Sequence, residues 1–188
     1  MAVTYDIVVV GGSVGGCAAA LAASSGGASV CLLEASSWLG GQYSAQGVTK
    51  PDETQYTPTV GSTATYRAFQ HAVRAFYRSN YLLSASGANQ PSFDPGGDYP
   101  GFSTEPKVAH QILLQELQAR PNCHVRLNFR VAEANVTGDT IQNVVAFDQY
   151  NNQATFYATY FIDATELGDL LPLAGVEYTL GAEARSDT

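Results

Sequence analysis

The hydrophobic and polar positions near the N-terminus predict a strand, a helix and a second strand, in that order. Residues 6–10 form a short β-branched apolar run, which is typical of a strand buried on both faces of a parallel sheet. The glycine-rich residues 11–16 end this run, and the small residues 17–23 behind them predict a helix. Residues 28–33 form the second apolar run. The pattern therefore predicts one βαβ unit.

The middle of the chain predicts two helices separated by long loops. Residues 43–63 and 84–103 are rich in glycine, proline and hydroxyl residues and show no hydrophobic period, and loops of that length are usually functional or mobile. Between them, apolar residues at helical spacing predict an amphipathic helix over residues 63–83. Pro106 marks the start of a second helix that runs to about residue 119, because proline is tolerated in the first helical turn.

The last third of the chain predicts three consecutive strands. Apolar residues alternate strictly over residues 125–131, as in a half-buried strand, and two further strands follow near residues 141–147 and 155–162. Turn residues separate these strands, which favours an antiparallel three-stranded β-meander. A short helix is predicted to end near Leu173. We therefore expect an α/β fold in which a parallel sheet is combined with this meander.

Length and composition favour one domain over residues 1–188, with residues 43–122 as a loop-and-helix insertion within it. The net charge of -8 leaves no basic face for a nucleic acid and no polybasic patch for a membrane surface. No segment approaches the roughly 18 consecutive apolar residues of a membrane helix, and no export signal precedes the first strand. We expect a cytoplasmic protein with reduced cysteines and no metal site.

The glycine cluster fits the turn of a dinucleotide-binding βαβ unit. Gly11 and Gly16 hold the first and third glycine positions of the pattern G-x-G-x-x-G, and Ser13 replaces the middle glycine. The Cβ of Ser13 could widen the contact with a pyrophosphate, or its hydroxyl could donate a hydrogen bond to a phosphate oxygen. Gly12 and Gly15 keep the loop free of side chains, so that a pyrophosphate can approach the helix N-terminus.

Glu34 ends the second apolar run, at about the 20-residue distance at which such units place a ribose-binding acid. Its carboxylate would accept hydrogen bonds from the two hydroxyls of an adenosine ribose. It would repel a 2′-phosphate, and the residues that follow, Ala35 among them, include no arginine that could bind one. The alternative interpretation is an ordinary surface acid at the end of a strand.

Three stretches of the sequence resemble the FAD-dependent oxidoreductases of the glutathione-reductase structural type. They are residues 6–16, residues 33–34 together with 39–42, and residues 161–170. The second stretch is informative, because a Gly-Gly pair just after the ribose acid is typical of flavoproteins rather than of NAD-dependent dehydrogenases. The resemblance implies a Rossmann-like FAD/NAD(P)-binding domain with FAD as its cofactor.

The resemblance also assigns roles to individual residues. The glycine loop would face the pyrophosphate, Glu34 the ribose, and Gly41 with Gln42 the ribityl and flavin side. Val131 would offer backbone groups to the adenine, and two residues of another strand end would border the cofactor. The candidate cofactor-binding residues are Gly11, Gly12, Ser13, Val14, Gly15, Gly16, Glu34, Ala35, Gly40, Gly41, Gln42, Val131, Ala164 and Thr165.

Residues 164–166 resemble the Ala-Thr-Gly strand end of this family, with Glu166 in place of the glycine. The close phosphate contact that the resemblance implies at this position is therefore less well supported for this chain. Chains of the family are considerably longer and continue into a substrate domain. The resemblance therefore implies a missing C-terminal substrate domain or a partner chain, and a small-molecule substrate.

Several other residues have both a structural and a functional interpretation. Cys17, at the predicted helix N-terminus, is expected to pack the helix on the sheet rather than to react, and Cys123 is expected to be exposed. His71 and three arginines, Arg74 among them, are expected to form a solvated helix face rather than an anion site. Trp38 could cover the adenosine or cap the core.

The acids Asp163, Glu166 and Asp169 follow the last strand and could suggest a general base. No third group orients them, however, and Asp169 could equally cap a helical turn. No catalytic residue is predicted, because a bound flavin would accept the hydride itself.

The leading hypothesis is the FAD-binding part of a flavin-dependent oxidoreductase that oxidises a small organic substrate by hydride transfer to flavin. The first alternative is an NAD-dependent dehydrogenase domain, which the same turn and acid would serve, although the meander fits it poorly. The second alternative is a non-catalytic nucleotide-binding subunit of a split flavoenzyme, which is consistent with the short chain.

Overall fold

The computed structural model describes residues 4–48, 50–51, 53, 56–57, 60–97 and 102–181. Parts of both predicted loops and of the C-terminal tail lie outside these residues. A 3₁₀ helix spans Gly41–Tyr43. The other elements are β1 (Thr4–Val10), α1 (Val14–Ser25), β2 (Val30–Glu34), α2 (Ala64–Asn80), α3 (Ala85–Asn89), α4 (Pro106–Gln118), β3 (Cys123–Leu127), β4 (Arg130–Thr137), β5 (Thr140–Phe147), β6 (Gln153–Asp163) and α5 (Leu170–Leu173).

All six strands form one sheet in the order β3-β2-β1-β6-β5-β4. β1 pairs in parallel with both β2 and β6, and β2 pairs in parallel with β3. The pairs β4–β5 and β5–β6 are antiparallel. This arrangement confirms the predicted α/β fold, in which a parallel sheet is joined to an antiparallel three-stranded meander.

β6 belongs to both parts of the sheet, which explains its length of 11 residues. Residues 153–157 pair with β5, and residues 157–163 pair with β1. A single strand thus carries the chain out of the meander and into the parallel sheet. It ends beside the carboxyl end of β1, where the Ala164 N–H donates to the Val10 carbonyl at 2.7 Å.

The single strand predicted over residues 125–131 is wrong, because the structure has two strands there with different partners. β3 ends at Leu127 beside β2, and β4 begins at Arg130 beside β5. Between them Asn128 adopts a left-handed backbone with φ +60°, which asparagine tolerates better than most residues. The alternation of apolar residues continues across this break, because Phe129 still packs into the core with its ring 5.9 Å from that of Phe156. The hydrophobic pattern therefore gave no sign of the break.

Two hydrophobic clusters cover the two faces of the parallel sheet. Val9 and Leu32 belong to the cluster on the side of α1, α2 and α4, whereas Val8 and Leu33 belong to the cluster that includes the meander. None of these four side chains is more than 1% exposed. β1 and β2 are therefore buried on both faces, which explains why their sequences are continuous apolar runs.

The polar face of α2 is only partly the solvated face that the sequence predicted. His71 is exposed, but Arg74 is only 5% exposed. The Arg74 Nε donates to the Phe93 carbonyl at 2.9 Å, and its guanidinium lies over the Phe102 ring, 5.2 Å from the centroid. Burial lowers the pKa of Arg74. This arginine therefore fixes the second predicted loop to α2.

The turn at Asn128 generates a first prediction. Replacing Asn128 with valine is expected to destabilise the fold by about 1–2 kcal/mol, because a β-branched residue resists a positive φ. Asn128→Gly is the matched control and should cost less, since glycine adopts this conformation freely. Urea unfolding of both variants would measure the difference, and equal midpoints for valine and glycine would contradict the left-handed turn.

Candidate functional site

The carboxyl ends of β1, β2 and β6 surround one cleft of about 260 Å³. Ligands of open α/β sheets bind at such strand ends. The structure brings eight of the candidate residues together in the cleft wall, namely Gly11, Ser13, Glu34, Ala35, Gly41, Val131, Ala164 and Thr165. The other candidates do not line this cleft and lie in the loops and the helix start behind its wall. They are Gly12, Val14, Gly15, Gly16, Gly40 and Gln42.

The glycine loop needs glycine where the backbone bends and where two segments meet. Gly11 has φ +101°, and a Cβ there would overlap with the Ala164 backbone at the end of β6. A Cβ on Gly16 would overlap with the Gly11 carbonyl. These contacts pack the start of α1 directly against β1 and β6, which is the close approach that the motif predicts.

Ser13, in the middle position of the motif, is the N-cap of α1. Its Oγ accepts a hydrogen bond from the Gly16 N–H at 3.1 Å. The backbone N–H groups of Ser13, Val14 and Gly15 have no partner within the helix, because the first turn of any α-helix leaves its donors unpaired. The hydroxyl hydrogen of Ser13 stays available for donation while the oxygen accepts. The start of α1 therefore offers several donors to an anion.

The Glu34 carboxylate joins the two loops that form the cleft. Its Oε2 accepts from the Gly12 N–H at 2.7 Å, and its Oε1 accepts from the Ser36 N–H at 2.7 Å. Each carboxylate oxygen can accept more than one hydrogen bond. Both oxygens can thus still accept hydroxyl donors, and ribose binding by Glu34 stays a prediction.

The loop after β2 is held from two sides. The Gly40 N–H donates to the Gly12 carbonyl at 2.8 Å, which ties this loop to the glycine loop. On its other side, the Leu39 N–H donates to Nδ1 of His110 in α4 at 3.0 Å. Burial lowers the pKa of His110, which favours the neutral ring that this acceptor role requires. His110 was missed because nothing local in the sequence marks a contact between residues 71 positions apart.

The sequence left two roles open for Trp38, covering an adenosine or capping the core. Trp38 lines the cleft, and its ring packs on His110 with 5.5 Å between the centroids. The tryptophan therefore forms a fixed apolar wall beside Glu34.

The acids at the end of β6 differ in their environment. Asp163 accepts from the N–H and Oγ1 of Thr165 at 3.0 and 2.8 Å, and from the Leu170 N–H at 2.9 Å. These bonds shape the turn into α5 and give Asp163 a structural role. Asp169 precedes α5 but makes no side-chain cap hydrogen bond. Asp169 and Glu166 both line the cleft.

Sequence reasoning did not predict several other residues of the cleft wall. Among the described residues that line the cleft, Arg130 is the only cation, and it was missed because the break at Asn128 was missed. The further lining residues are Val10, Leu33, Ser36, Ala45, Gln46, Phe129, Leu167, Leu170 and Leu173.

The cysteines have packing roles. Cys17 is 1% exposed, and burial, with a smaller contribution from Glu34, raises the pKa of its thiol to about 12. Cys123 is 7% exposed, so the predicted exposure of this residue is wrong; as the first residue of β3, it packs into the helix-side cluster. Within the described part of the chain, no group of three metal-ligating side chains could hold a metal ion. None of the described helices is long and apolar enough to cross a membrane.

Comparison with known proteins identifies one matching family. A family model described as FAD dependent oxidoreductase matches residues 6–188. No curated protein matches the sequence. The family match therefore covers nearly the whole chain.

Solved structures of flavoenzymes are similar to this chain in fold. A flavoprotein/dehydrogenase from Cytophaga hutchinsonii has a TM-score of 0.62 at 16% identity, with 96% of this chain and 44% of that chain covered. The p-nitrophenol 4-monooxygenase from Pseudomonas putida has a TM-score of 0.58 at 16% identity, with 95% of this chain and 44% of that chain covered. A myxobacterial chondrochloren halogenase, a variant of FAD-dependent halogenases, has a TM-score of 0.59 at 17% identity, with 86% of this chain and 37% of that chain covered. The chain thus spans less than half the length of these structures.

The buried thiol of Cys17 is expected to resist alkylation. A pKa of about 12 leaves almost no thiolate at about pH 8. Iodoacetamide should leave Cys17 unmodified in the folded protein and modify it after unfolding in urea, as peptide mass spectrometry would show. Rapid modification in the folded protein would contradict the packing role.

Proposed function

Since this chain belongs to the FAD dependent oxidoreductase family, we propose that it is the FAD-binding part of an enzyme that oxidises a small organic substrate by hydride transfer to flavin. FAD is the cofactor to which the family membership points. The observation that carries the proposal is the Glu34 carboxylate, which is held by the Gly12 N–H at the mouth of the glycine loop. This arrangement supports the interpretation of Glu34 as part of a site for an adenine dinucleotide, rather than as an ordinary surface acid.

The residues of the cleft fit such a dinucleotide. A Cβ on Gly12 would lie 2.6 Å from Leu39 Cδ2 and 3.0 Å from Glu34 Oε2, so the loop has no room for a side chain there. Gly41, with φ +43°, likewise has no room for a side chain, because a Cβ there would overlap with Glu166 Oε1 and lie 3.2 Å from the Cα of Ser13. In the proposal, the start of α1 binds the pyrophosphate, Glu34 binds the ribose, and the backbone of Val131 meets the adenine. Bound FAD would supply the hydride acceptor, and this chain would bind and orient it.

We further propose that the rest of the flavin site comes from a C-terminal substrate domain or a partner chain. The cleft of about 260 Å³ is smaller than the roughly 300–1,000 Å³ of typical small-molecule pockets. It therefore suits the adenosine and pyrophosphate end of the cofactor, while the flavin end needs further walls. The coverage of only 37–44% of the similar flavoenzyme chains supports this view.

The edge of β6 supports the same proposal. Among the described residues, 158–163 pair with β1 on one side and with no strand on the other. Proteins usually cover such an edge, because its free N–H and C=O groups pair readily with another strand. Tyr160, in the middle of this edge, is 67% exposed. A strand from the remainder of the enzyme would extend the parallel sheet here.

The two alternatives from the sequence have less support. An NAD-dependent dehydrogenase domain would use the same glycine loop and acid, but the family match and the meander favour FAD. A non-catalytic subunit of a split flavoenzyme would bind cofactor without turnover, even with the rest of the enzyme supplied. An absorption spectrum of the purified protein, followed by denaturation and identification of the released flavin, tests the FAD assignment. A cytoplasmic location stays a prediction.

The role of Glu34 generates a prediction about affinity. Glu34→Ala is expected to weaken FAD binding at least about tenfold, because hydrogen bonds to charged groups contribute about 1.5–3 kcal/mol. Quenching of flavin fluorescence would measure the dissociation constant. Glu177→Ala is the matched control, since it removes an exposed carboxylate that does not line the cleft. Equal affinities for the two variants would contradict a ribose-binding role.

The open edge of β6 generates a second prediction. In a longer polypeptide or complex that contains the rest of the enzyme, the amides of residues 158–163 that face away from β1 should exchange with deuterium more slowly than in the 188-residue chain. The amides of β2, which is paired on both sides, serve as the control. Unchanged exchange at residues 158–163 would rule out strand addition at this edge.

A further inference from the structure

We propose that Glu166 sets the affinity of the cleft for the diphosphate of the adenine dinucleotide, because its carboxylate lies where the diphosphate would lie and has to move aside for binding. The inference rests on the proposed function. It concerns the acid in the loop that follows β6.

The Glu166 carboxylate reaches across the cleft from the loop after β6. Its Oε1 contacts the point at which a Cβ on Gly41 would stand, and the Cα of Ser13 lies 3.2 Å from the same point. Glu166, Ser13 and Gly41 all line the cleft. The Glu166 carboxylate therefore lies against Gly41, on the side of that glycine that faces Ser13 in the proposed pyrophosphate-binding loop.

The start of α1 favours an anion at this place. The helix dipole and the unpaired N–H groups of the first turn attract negative charge. α1 has no acidic residue in its own first turn, and Glu34 is bound to the Gly12 N–H beside it. Glu166 adds a second carboxylate, which comes from the loop after β6 and lies near the end of α1 that a diphosphate would use in the proposed function.

The Glu166 carboxylate and a diphosphate at this place would repel each other, because both are anions a few ångströms apart. The neighbouring charges do not remove the conflict, since Asp169 adds another negative charge and Arg130 is the only cation among the described residues of the wall. Glu166 is able to move, because its side chain is exposed and, in the described part of the chain, makes no hydrogen bond or ion pair. Binding therefore exchanges one anion for another.

Two nucleotide probes separate the diphosphate contact from the rest of the cleft. ADP carries the adenine, the ribose and a diphosphate, whereas adenosine lacks the phosphates. Glu166→Gln keeps the shape of the side chain and removes its charge. We expect this variant to bind ADP about tenfold more tightly than the unmodified chain and to bind adenosine with an affinity within about twofold of it. Isothermal titration calorimetry would measure both constants.

Two further variants control for charge and position. Glu166→Asp keeps the negative charge and should bind ADP about as weakly as the unmodified chain. Glu177→Gln removes one exposed carboxylate outside the cleft wall and should leave ADP binding unchanged. Raising the ionic strength should reduce the difference between Glu166→Gln and the unmodified chain, because salt screens the repulsion.

The outcomes distinguish this inference from the proposed function. Tighter ADP binding by Glu166→Gln alone, with adenosine unchanged, supports the inference. Unchanged or weaker ADP binding by Glu166→Gln overturns it while the cleft remains a nucleotide site, and weaker binding would show that the carboxylate holds the ligand instead. Failure of every variant to bind either probe would overturn the proposed function, and the inference would fall with it.

Discussion

The hydrogen bond between the Glu34 carboxylate and the Gly12 N–H is the interaction on which the rest of the cleft depends. It connects the end of β2 to the turn after β1, and the second oxygen of the same carboxylate holds the Ser36 N–H. The chain then returns to the glycine loop, where the Gly40 N–H donates to the Gly12 carbonyl. Both the N–H and the carbonyl of Gly12 are thus hydrogen-bonded. These bonds fix the position of Glu34 relative to the glycine loop. Charge-assisted bonds of this kind are roughly twice as strong as neutral ones.

The second constraint is the close contact between β1 and β6. Gly11 meets the backbone of Ala164, which no other residue at position 11 would permit. This contact exists because β6 leaves the antiparallel meander and runs parallel to β1 up to the same level of the sheet. The meander therefore has a function beyond covering one face of the sheet. It turns the chain so that a strand from late in the sequence ends at the cleft, with Thr165 and Glu166 in its wall.

The sequence predicts the parts of this molecule in which local pattern and tertiary environment agree. β1 and β2 are continuous apolar runs because both of their faces are buried. The distance in sequence between the glycine loop and Glu34 is recognisable because the two lie at the ends of adjacent parallel strands. Contacts between distant segments leave no such pattern. The bond from Leu39 to His110, the burial of Arg74 against Phe102, and the left-handed turn at Asn128 each depend on packing that no hydrophobic period encodes.

The charge of the cleft constrains how it can recognise a dinucleotide. Among the described residues, three acids and one arginine line it, in a chain with a net charge of -8, so general electrostatics would disfavour a diphosphate. In the proposed binding mode, affinity comes instead from directional contacts with the N–H groups at the start of α1 and the oxygens of Glu34, together with apolar contact at Trp38. Directional contacts of this kind discriminate strongly, because a ligand that cannot make them leaves buried polar groups unpaired. If Glu34 binds the ribose as proposed, an additional 2′-phosphate would meet its carboxylate directly. The acidic cleft of that proposal would lose affinity for anions in general and gain selectivity for dinucleotides whose adenosine ribose carries two free hydroxyls.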